Sequence, residues 1–252
     1  MTLNSFRQAI SPDTPHTEEW YQGRGVYGGL IFAQLAYAVK QHTKLPLRRI
    51  SVDMCAPVIA SDISIQVTTA RKGVNSHFFY VSAQQNQKIV AHGTIVCGGP
   101  RCPDFDRHQF SPPGNTPPIF PPITSNAMPA FSCFFDYWLT TGAIPFSKSE
   151  NLRTGGWIRA KGDSLIDDEK ILALLDAWWP ALVVGMKSPR PMGTISFTAD
   201  LSLTEPFEQE DPCMIESNSL EVKEGYSIET NLLWSAEGVL LAKAQQNVVI
   251  IR

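Results

Sequence analysis

The carboxylate of Asp176 is the side chain whose surroundings most strongly suggest chemistry. It lies alone within the apolar stretch 171–184. Burying an unpaired charge there is costly, and the same surroundings raise the pKa of a carboxyl group towards that of a general base. Pro180 lacks an N–H, so the carbonyl of Asp176 loses its usual helical donor. Together these features favour a functional site over a solvent-facing Asp176 on an ordinary amphipathic helix.

Other common catalytic groups are not supported by the sequence. The histidines, His16, His42, His77, His92 and His108, have no spacing typical of a metal site. No serine stands in a Gly-x-Ser-x-Gly context, so a serine-hydrolase elbow is not indicated. The five cysteines, Cys55, Cys97, Cys102, Cys133 and Cys213, are odd in number and lack Cys-x-x-Cys spacing. The sequence therefore predicts free thiols in a reducing compartment and no bound metal or cofactor.

Composition describes an ordinary globular protein of 252 residues. Hydrophobic residues make up 43% and charged residues 18% of the chain, and the net charge is −3. This balance gives no electrostatic reason to expect nucleic acid as a partner. No apolar run approaches the ~20 residues that a membrane helix needs, and no signal-peptide pattern is seen. We therefore expect a cytoplasmic protein without a membrane partner.

A proline-rich segment divides the chain into two parts of similar size. Nearly half of the 19 prolines lie between Gly98 and Pro129, a density that excludes a helix or a central strand. We predict an N-terminal unit at residues 1–99, a connector at 100–129 and a C-terminal unit at 130–252.

The two units have the same order of elements. A glycine-led helix from Gly28 to about Gln41 precedes strands near 47–57, 63–70, 77–84 and 88–97. In the second unit a strand at 156–160 leads through Asp167 and Asp168 to the helix with Asp176, followed by strands near 194–203, 214–222, 226–234 and 239–251. The acidic pair suits a helix N-terminus. This pattern predicts a duplicated α+β unit, with the two copies side by side in one continuous antiparallel sheet.

Three segments resemble a known family. Residues 26–36, residues 157–160 with the helix after them, and residues 237–246 are similar to thioesterase II-like acyl-CoA thioesterases. The resemblance implies a double hotdog fold, in which two fused units each wrap a curved sheet around a long helix. It covers nearly the whole chain apart from the connector and the termini.

The resemblance also implies a catalytic set. Members of that family are understood to use an aspartate on the second helix, a threonine or serine on the next strand and a glutamine on the last strand. Asp176, Thr198 and Gln246 fit these positions. Gln245 competes with Gln246, because neighbouring residues of a strand point to opposite faces.

Three residues of the first helix are candidates for substrate binding. Gly28 and Gly29 would let a substrate approach the backbone N–H groups of a helix N-terminus, where an oxyanion can be stabilised. They could equally form only a tight strand-to-helix turn. Gln34 could lie beside the site or be solvated.

The function implied is hydrolysis of an acyl-CoA thioester to a free acid and CoA, in fatty acid metabolism and without a cofactor. One alternative is a binder of acyl thioesters or lipids that has lost turnover. An enoyl-thioester hydratase is disfavoured, because no histidine lies near Asp176, Thr198 or Gln246 in the expected arrangement. A homodimer or higher homo-oligomer remains open.

Overall fold

The computed structural model describes residues 6–11, 13–101, 105, 107, 111, 112, 114, 116–123 and 128–251. Cys102, His108 and parts of the predicted connector 100–129 lie outside the described residues. No helix in these ranges is long and apolar enough to cross a bilayer.

Two of the helices in the described ranges are ten residues or longer. The α-helices are α1 (Phe6–Ala9), α2 (Gly28–Lys40) and α3 (Asp168–Ala177), and short 3-10 helices cover Glu18–Trp20, Ala130–Phe134 and Ala181–Gly185. α3 begins after Asp167, whose side chain accepts a hydrogen bond from the backbone N–H of Lys170 at 2.9 Å. It ends before Trp178, where the backbone becomes extended, two residues ahead of the helix-breaking Pro180. Both predicted helices are therefore confirmed.

The strands make one large sheet and two small ribbons. The strands are β1 (Tyr21–Gln22), β2 (Gly25–Val26), β3 (Leu47–Met54), β4 (Ser64–Lys72), β5 (Ser76–Gln85), β6 (Lys88–Gly98), β7 (Phe135–Gly142), β8 (Arg153–Ala160), β9 (Leu165–Ile166), β10 (Met192–Leu201), β11 (Phe207–Glu208), β12 (Cys213–Lys223), β13 (Tyr226–Trp234) and β14 (Leu240–Ile250). β7 was not among the strands expected from the sequence.

The two units join edge to edge in a single ten-stranded sheet. Its strand order is β4-β5-β6-β3-β10-β14-β13-β12-β8-β7. β3 of the first unit pairs antiparallel with β10 of the second, with Ser51 opposite Thr198 and Val52 opposite Phe197. The predicted α+β architecture with a continuous sheet is confirmed, and the two units meet where β3 pairs with β10.

Both long helices pack against the same face of this sheet, which we call the inner face. The rings of Phe32 in α2 and Phe197 in β10 stack with centroids 4.2 Å apart. On β13, the side-chain amide of Asn231 donates to the carbonyl of Leu175 in α3 at 3.0 Å. Directly opposite residues of antiparallel strands share a face, so the register identifies the other inner-face residues.

Candidate active site

Asp176 lies in the last turn of α3 and reaches the first turn of α2. Its Oδ2 accepts a hydrogen bond from the backbone N–H of Gly29 at 2.7 Å, and only 5% of the residue is exposed. Burial raises the pKa of Asp176 to about 6, although the hydrogen bond from Gly29 opposes the rise. The carboxylate therefore changes charge close to neutral pH, as a general base requires.

The glycines at the start of α2 make this contact possible. A Cβ atom on Gly28 would lie 2.9 Å from Oδ2 of Asp176, and one on Gly29 would lie 3.1 Å from Cα of Ala173. The positive end of the α2 dipole also favours a carboxylate. Gly28 and Gly29 thus hold Asp176 between the two units. The Gly29 N–H, expected to stabilise a substrate oxyanion, already donates to this carboxylate.

Gln246 lies on the inner face and bonds to a threonine. It stands directly opposite Phe197 and is 2% exposed. The hydroxyl of Thr194 donates to its Oε1 at 3.1 Å. Gln245 is exposed and faces the other side of the sheet, so Gln246 is the glutamine beside the helices.

The structure does not bring Thr198 together with Gln246. Thr198 stands opposite Gln245, and its hydroxyl bonds to that of Ser51 at 3.0 Å on the outer face. A β-bulge between Thr194 and Ser196 changes the register of β10. In a regular strand, residues three positions apart point to opposite faces. The bulge adds one residue, so Thr194 and Phe197 both point to the inner face. Sequence reasoning therefore missed Thr194, although it lay within a predicted strand.

Gln34 is buried away from this arrangement. Its Oε1 lies 2.9 Å from Nε2 of His16, and its Nε2 donates to the carbonyl of Ala9 at 2.9 Å. Burial lowers the pKa of His16, although the contact with Gln34 opposes this. Gln34 therefore ties the N-terminal segment to α2, and the structure gives it no contact with Asp176.

Two buried tyrosines, Tyr27 and Tyr137, lie near Asp176. Tyr27, which precedes α2, stacks on Phe131 with ring centroids 4.3 Å apart, and its buried hydroxyl has no hydrogen-bond partner among the described residues. The hydroxyl of Tyr137 donates to the carbonyl of Ala177 at 3.3 Å. Burial, and then the nearby Asp176, raise the pKa of Tyr27. The site thus contains an unpaired phenol near its carboxylate, which sequence reasoning did not identify.

A separate group of buried charges lies at the start of α3. Lys40 bonds to Asp168 and Glu169 at 3.1 Å each, and Arg7 bonds to Asp167. Burial raises the pKa of Asp168 and of Glu169, and Lys40 opposes both shifts. Each carboxylate has a cationic partner, so this group connects α1, α2 and α3 and is structural.

An open cavity of about 470 Å³ adjoins that group, away from Asp176. Its lining includes Asp136, Arg159 and Asp163. Arg159 donates to Asp136 at 2.8 Å, and Asp163 bonds to Lys170 at 2.9 Å. Because these charges satisfy one another and none lies near Gln246, the cavity is not the candidate site.

Metal and histidine chemistry find no support around Asp176. Within the described ranges, no three His, Cys, Asp or Glu side chains are placed to hold a metal ion. His16 bonds to Gln34 and His77 to Thr43. In the described ranges no histidine bonds to Asp176, whose carboxylate is held by Gly29, so an Asp–His pair of the kind used by enoyl-thioester hydratases is not indicated.

Comparisons with known proteins agree with this architecture. Family models match residues 16–98 as an acyl-CoA thioesterase N-terminal domain and residues 103–250 as an acyl-CoA thioesterase C-terminal domain. No curated protein matches the chain.

Solved structures share the fold across nearly the whole chain. A conserved hot dog protein of unknown function from Alicyclobacillus acidocaldarius is 22% identical with a TM-score of 0.83, covering 94% of this chain and 91% of its own. The tesB protein of Mycobacterium avium subs paratuberculosis is 13% identical with a TM-score of 0.75, covering 98% and 100%. An acyl-CoA thioesterase II, TesB2, from Mycobacterium marinum is 14% identical with a TM-score of 0.71, covering 89% and 88%. The double hotdog fold and the resemblance inferred from the sequence are confirmed. The chain belongs to the acyl-CoA thioesterase family and is a thioesterase.

Proposed function

We propose that the protein hydrolyses acyl-CoA thioesters with a water molecule activated by Asp176 and oriented by Thr194 and Gln246. The observation that carries this proposal is a buried carboxylate with a pKa of about 6, held by Gly29 across the two units. Thr194 replaces Thr198 in this set, because the hydroxyl of Thr194 is the one that bonds to Gln246.

The groups at the site have the capacities that thioester hydrolysis requires. Ionised Asp176 accepts a proton from water while the water oxygen attacks the thioester carbonyl carbon. The tetrahedral intermediate then collapses, the C–S bond breaks, and the proton held by Asp176 passes to the CoA thiolate. The products are a carboxylic acid and CoA. Asp176 thus acts first as a general base and then as a general acid.

Gln246 and Thr194 orient the attacking water. Since Oε1 of Gln246 accepts from Thr194, its Nε2 is left to donate to the attacking water or to the developing oxyanion. A fixed amide donor of this kind costs little reorganisation during the reaction.

Release of free thiol from a panel of acyl-CoAs, followed with a thiol reagent, tests the proposal. We expect hydrolysis by the wild-type protein and a loss of at least about 100-fold in kcat for Asp176→Asn, because an amide cannot accept the proton. No thiol release above background from any acyl-CoA would refute the proposal. Retention of intact acyl-CoA without turnover would instead establish a non-catalytic acyl-thioester binder.

The substrate class and the cellular compartment are also proposals. We propose that the substrates belong to fatty acid metabolism and that the enzyme works in the reducing cytoplasm. The cysteines at positions 55, 97, 133 and 213 carry free thiols, which agrees with that compartment. Homo-oligomer formation is open to measurement by light scattering.

A further inference from the structure

A row of buried polar side chains crosses the inner face beneath α3. Ser217 of β12 stands directly opposite Thr154 of β8 on one side and Asn231 of β13 on the other. All three residues are 1% exposed or less. Asn231 donates to the carbonyl of Leu175 at 3.0 Å, and the indole N–H of Trp179 donates to the hydroxyl of Thr154 at 3.1 Å. Both contacts place the row on the side of the helices.

Two polar atoms in this row have no partner among the described residues. They are Oγ of Ser217 and Oδ1 of Asn231. The amide of Asn231 is oriented by its bond to Leu175, because only its NH₂ group can donate to a carbonyl. Oδ1 of Asn231 is therefore the atom of this amide that has no hydrogen-bond partner among the described residues. Buried polar atoms in proteins are nearly always hydrogen-bonded, so this adjacent pair indicates that something else binds between them.

The pair lies next to the proposed reaction centre. Asn231 bonds to the carbonyl of the residue that immediately precedes Asp176. Two residues along β13, on the same face, Glu229 stands directly opposite Gln246. A substrate held at Asp176 and Gln246 would thus bring the part of its acyl group next to the thioester towards Ser217 and Asn231.

Resting on the proposed thioester hydrolysis, we infer that Ser217 and Asn231 select acyl groups that carry a hydroxyl near the thioester. A hydroxyl donates to Oδ1 of Asn231 and accepts from the hydroxyl of Ser217, so it satisfies both unpaired atoms. An oxo group can only accept and leaves Asn231 unpaired. An alkyl chain satisfies neither atom. Sites with buried hydrogen-bonding groups discriminate strongly against analogues that lack the matching group.

The test compares kcat/KM for unsubstituted acyl-CoAs with that for 2-, 3- and 4-hydroxyacyl-CoAs of the same chain length. We expect one hydroxyl position to be preferred by at least about tenfold over the unsubstituted substrate. Ser217→Ala should reduce that preference by about tenfold, the effect of one lost hydrogen bond to a substrate. Ser51→Ala is the matched control, because Ser51 bonds to Thr198 on the outer face, and it should keep the wild-type ratio.

Binding separates failure of this inference from failure of the proposed function. Calorimetry with the Asp176→Asn protein and intact hydroxyacyl-CoA or acyl-CoA needs no turnover. Tighter binding of the hydroxyacyl form, lost in the Ser217→Ala, Asp176→Asn double variant, supports the selection even if hydrolysis is absent. Equal kcat/KM and equal affinity for both substrates, unchanged by Ser217→Ala, would overturn the inference and leave a structural water as the partner of the two atoms.

Discussion

At the residue scale, the charge of Asp176 depends on how completely the fold buries it. A carboxyl group with an ordinary pKa of 3.8 is raised to about 6 here. The base form therefore exists above about pH 6 and is lost below it. The same shift that prepares the residue for proton transfer also makes its ionised form unfavourable for folding.

The pH dependence of activity should show this shift. We expect kcat/KM to rise with pH through an apparent pKa near 6, because only ionised Asp176 accepts a proton. Rates measured from pH 4.5 to 8 with one acyl-CoA check this. A flat profile across pH 5–7 would contradict the assigned base.

The contribution of Asp176 to the stability of the folded protein should fall as pH rises, whereas activity should rise. Since the folded-state pKa of Asp176 lies above its unfolded value, the folded protein binds more protons between about pH 4 and 6, and this residue's contribution falls as pH rises. Asp176→Asn keeps an acceptor for Gly29 without the buried charge. We expect it to stabilise the protein by roughly 1–3 kcal/mol at pH 7, as measured by urea denaturation. Unchanged or lower stability would contradict this.

Gly28 is the residue whose side chain would intrude on Asp176. Gly28→Ala places a methyl group 2.9 Å from Oδ2 of Asp176, and we expect kcat to fall by at least about tenfold because the carboxylate must shift. Gly99→Ala is the control, since its new methyl group would meet only Cδ2 of Leu45 at 3.5 Å. Equal rates for the two variants would show that the close approach at Gly28 has no catalytic role.

At the element scale, the bulge in β10 decides which hydroxyl reaches Gln246. Regular alternation would place Thr194 and Phe197 on opposite faces, but the register shift after Thr194 puts both beside the helices. The same strand therefore presents Thr194 to Gln246 and Thr198 to Ser51.

Two isosteric substitutions on β10 test which face of this strand contributes to catalysis. Thr194→Val removes the hydroxyl bonded to Gln246 and is expected to lower kcat by about 10- to 100-fold. Thr198→Val removes the outer-face hydroxyl and should leave kcat within about twofold. Thiol-release kinetics on both purified variants check this, and the reverse order of effects would restore Thr198 to the catalytic set.

At the scale of the whole molecule, side chains from distant parts of the chain assemble the site. Asp176 and Gly29 are 147 residues apart in sequence. Arg7 bonds to Asp163 at 2.8 Å and also to Asp167, so the N-terminal helix helps to hold the start of α3. The candidate site therefore depends on how the two units dock as much as on either unit.

Loss of Arg7 should weaken this docking. Arg7→Ala leaves Asp163 and Asp167, whose side chains are 7% and 9% exposed, without that cation. We expect it to destabilise the protein by about 2–3 kcal/mol. Arg49→Ala breaks an ion pair with Asp200 whose side chains are 52% and 59% exposed, so it should cost less than about 1 kcal/mol. Thermal or urea unfolding of both variants is the measurement, and equal losses would contradict the assigned role of Arg7.

The sequence by itself determined the duplicated α+β plan and the two helices, and it was enough to single out Asp176 as the candidate base. These depend on local signals: glycine before an apolar helix, acidic residues at a helix start, alternation along strands, and one carboxylate in an apolar segment. Each of these acts within a few residues, so a single sequence is enough to reveal it.

Only the tertiary structure showed that Asp176 bonds to Gly29 and which hydroxyl bonds to Gln246. Thr194 rather than Thr198 bonds to Gln246 because a bulge changes the face to which part of the strand points, and the register with β10 puts Gln246 rather than Gln245 on the inner face. The amide of Gln34 bonds to His16 and Ala9 instead of facing Asp176. The unpaired atoms of Ser217 and Asn231 became visible only when β12 and β13 were paired. The face to which a side chain points, the register of paired strands and the partners of buried polar atoms all depend on residues that are distant in sequence. The local sequence pattern therefore does not encode them.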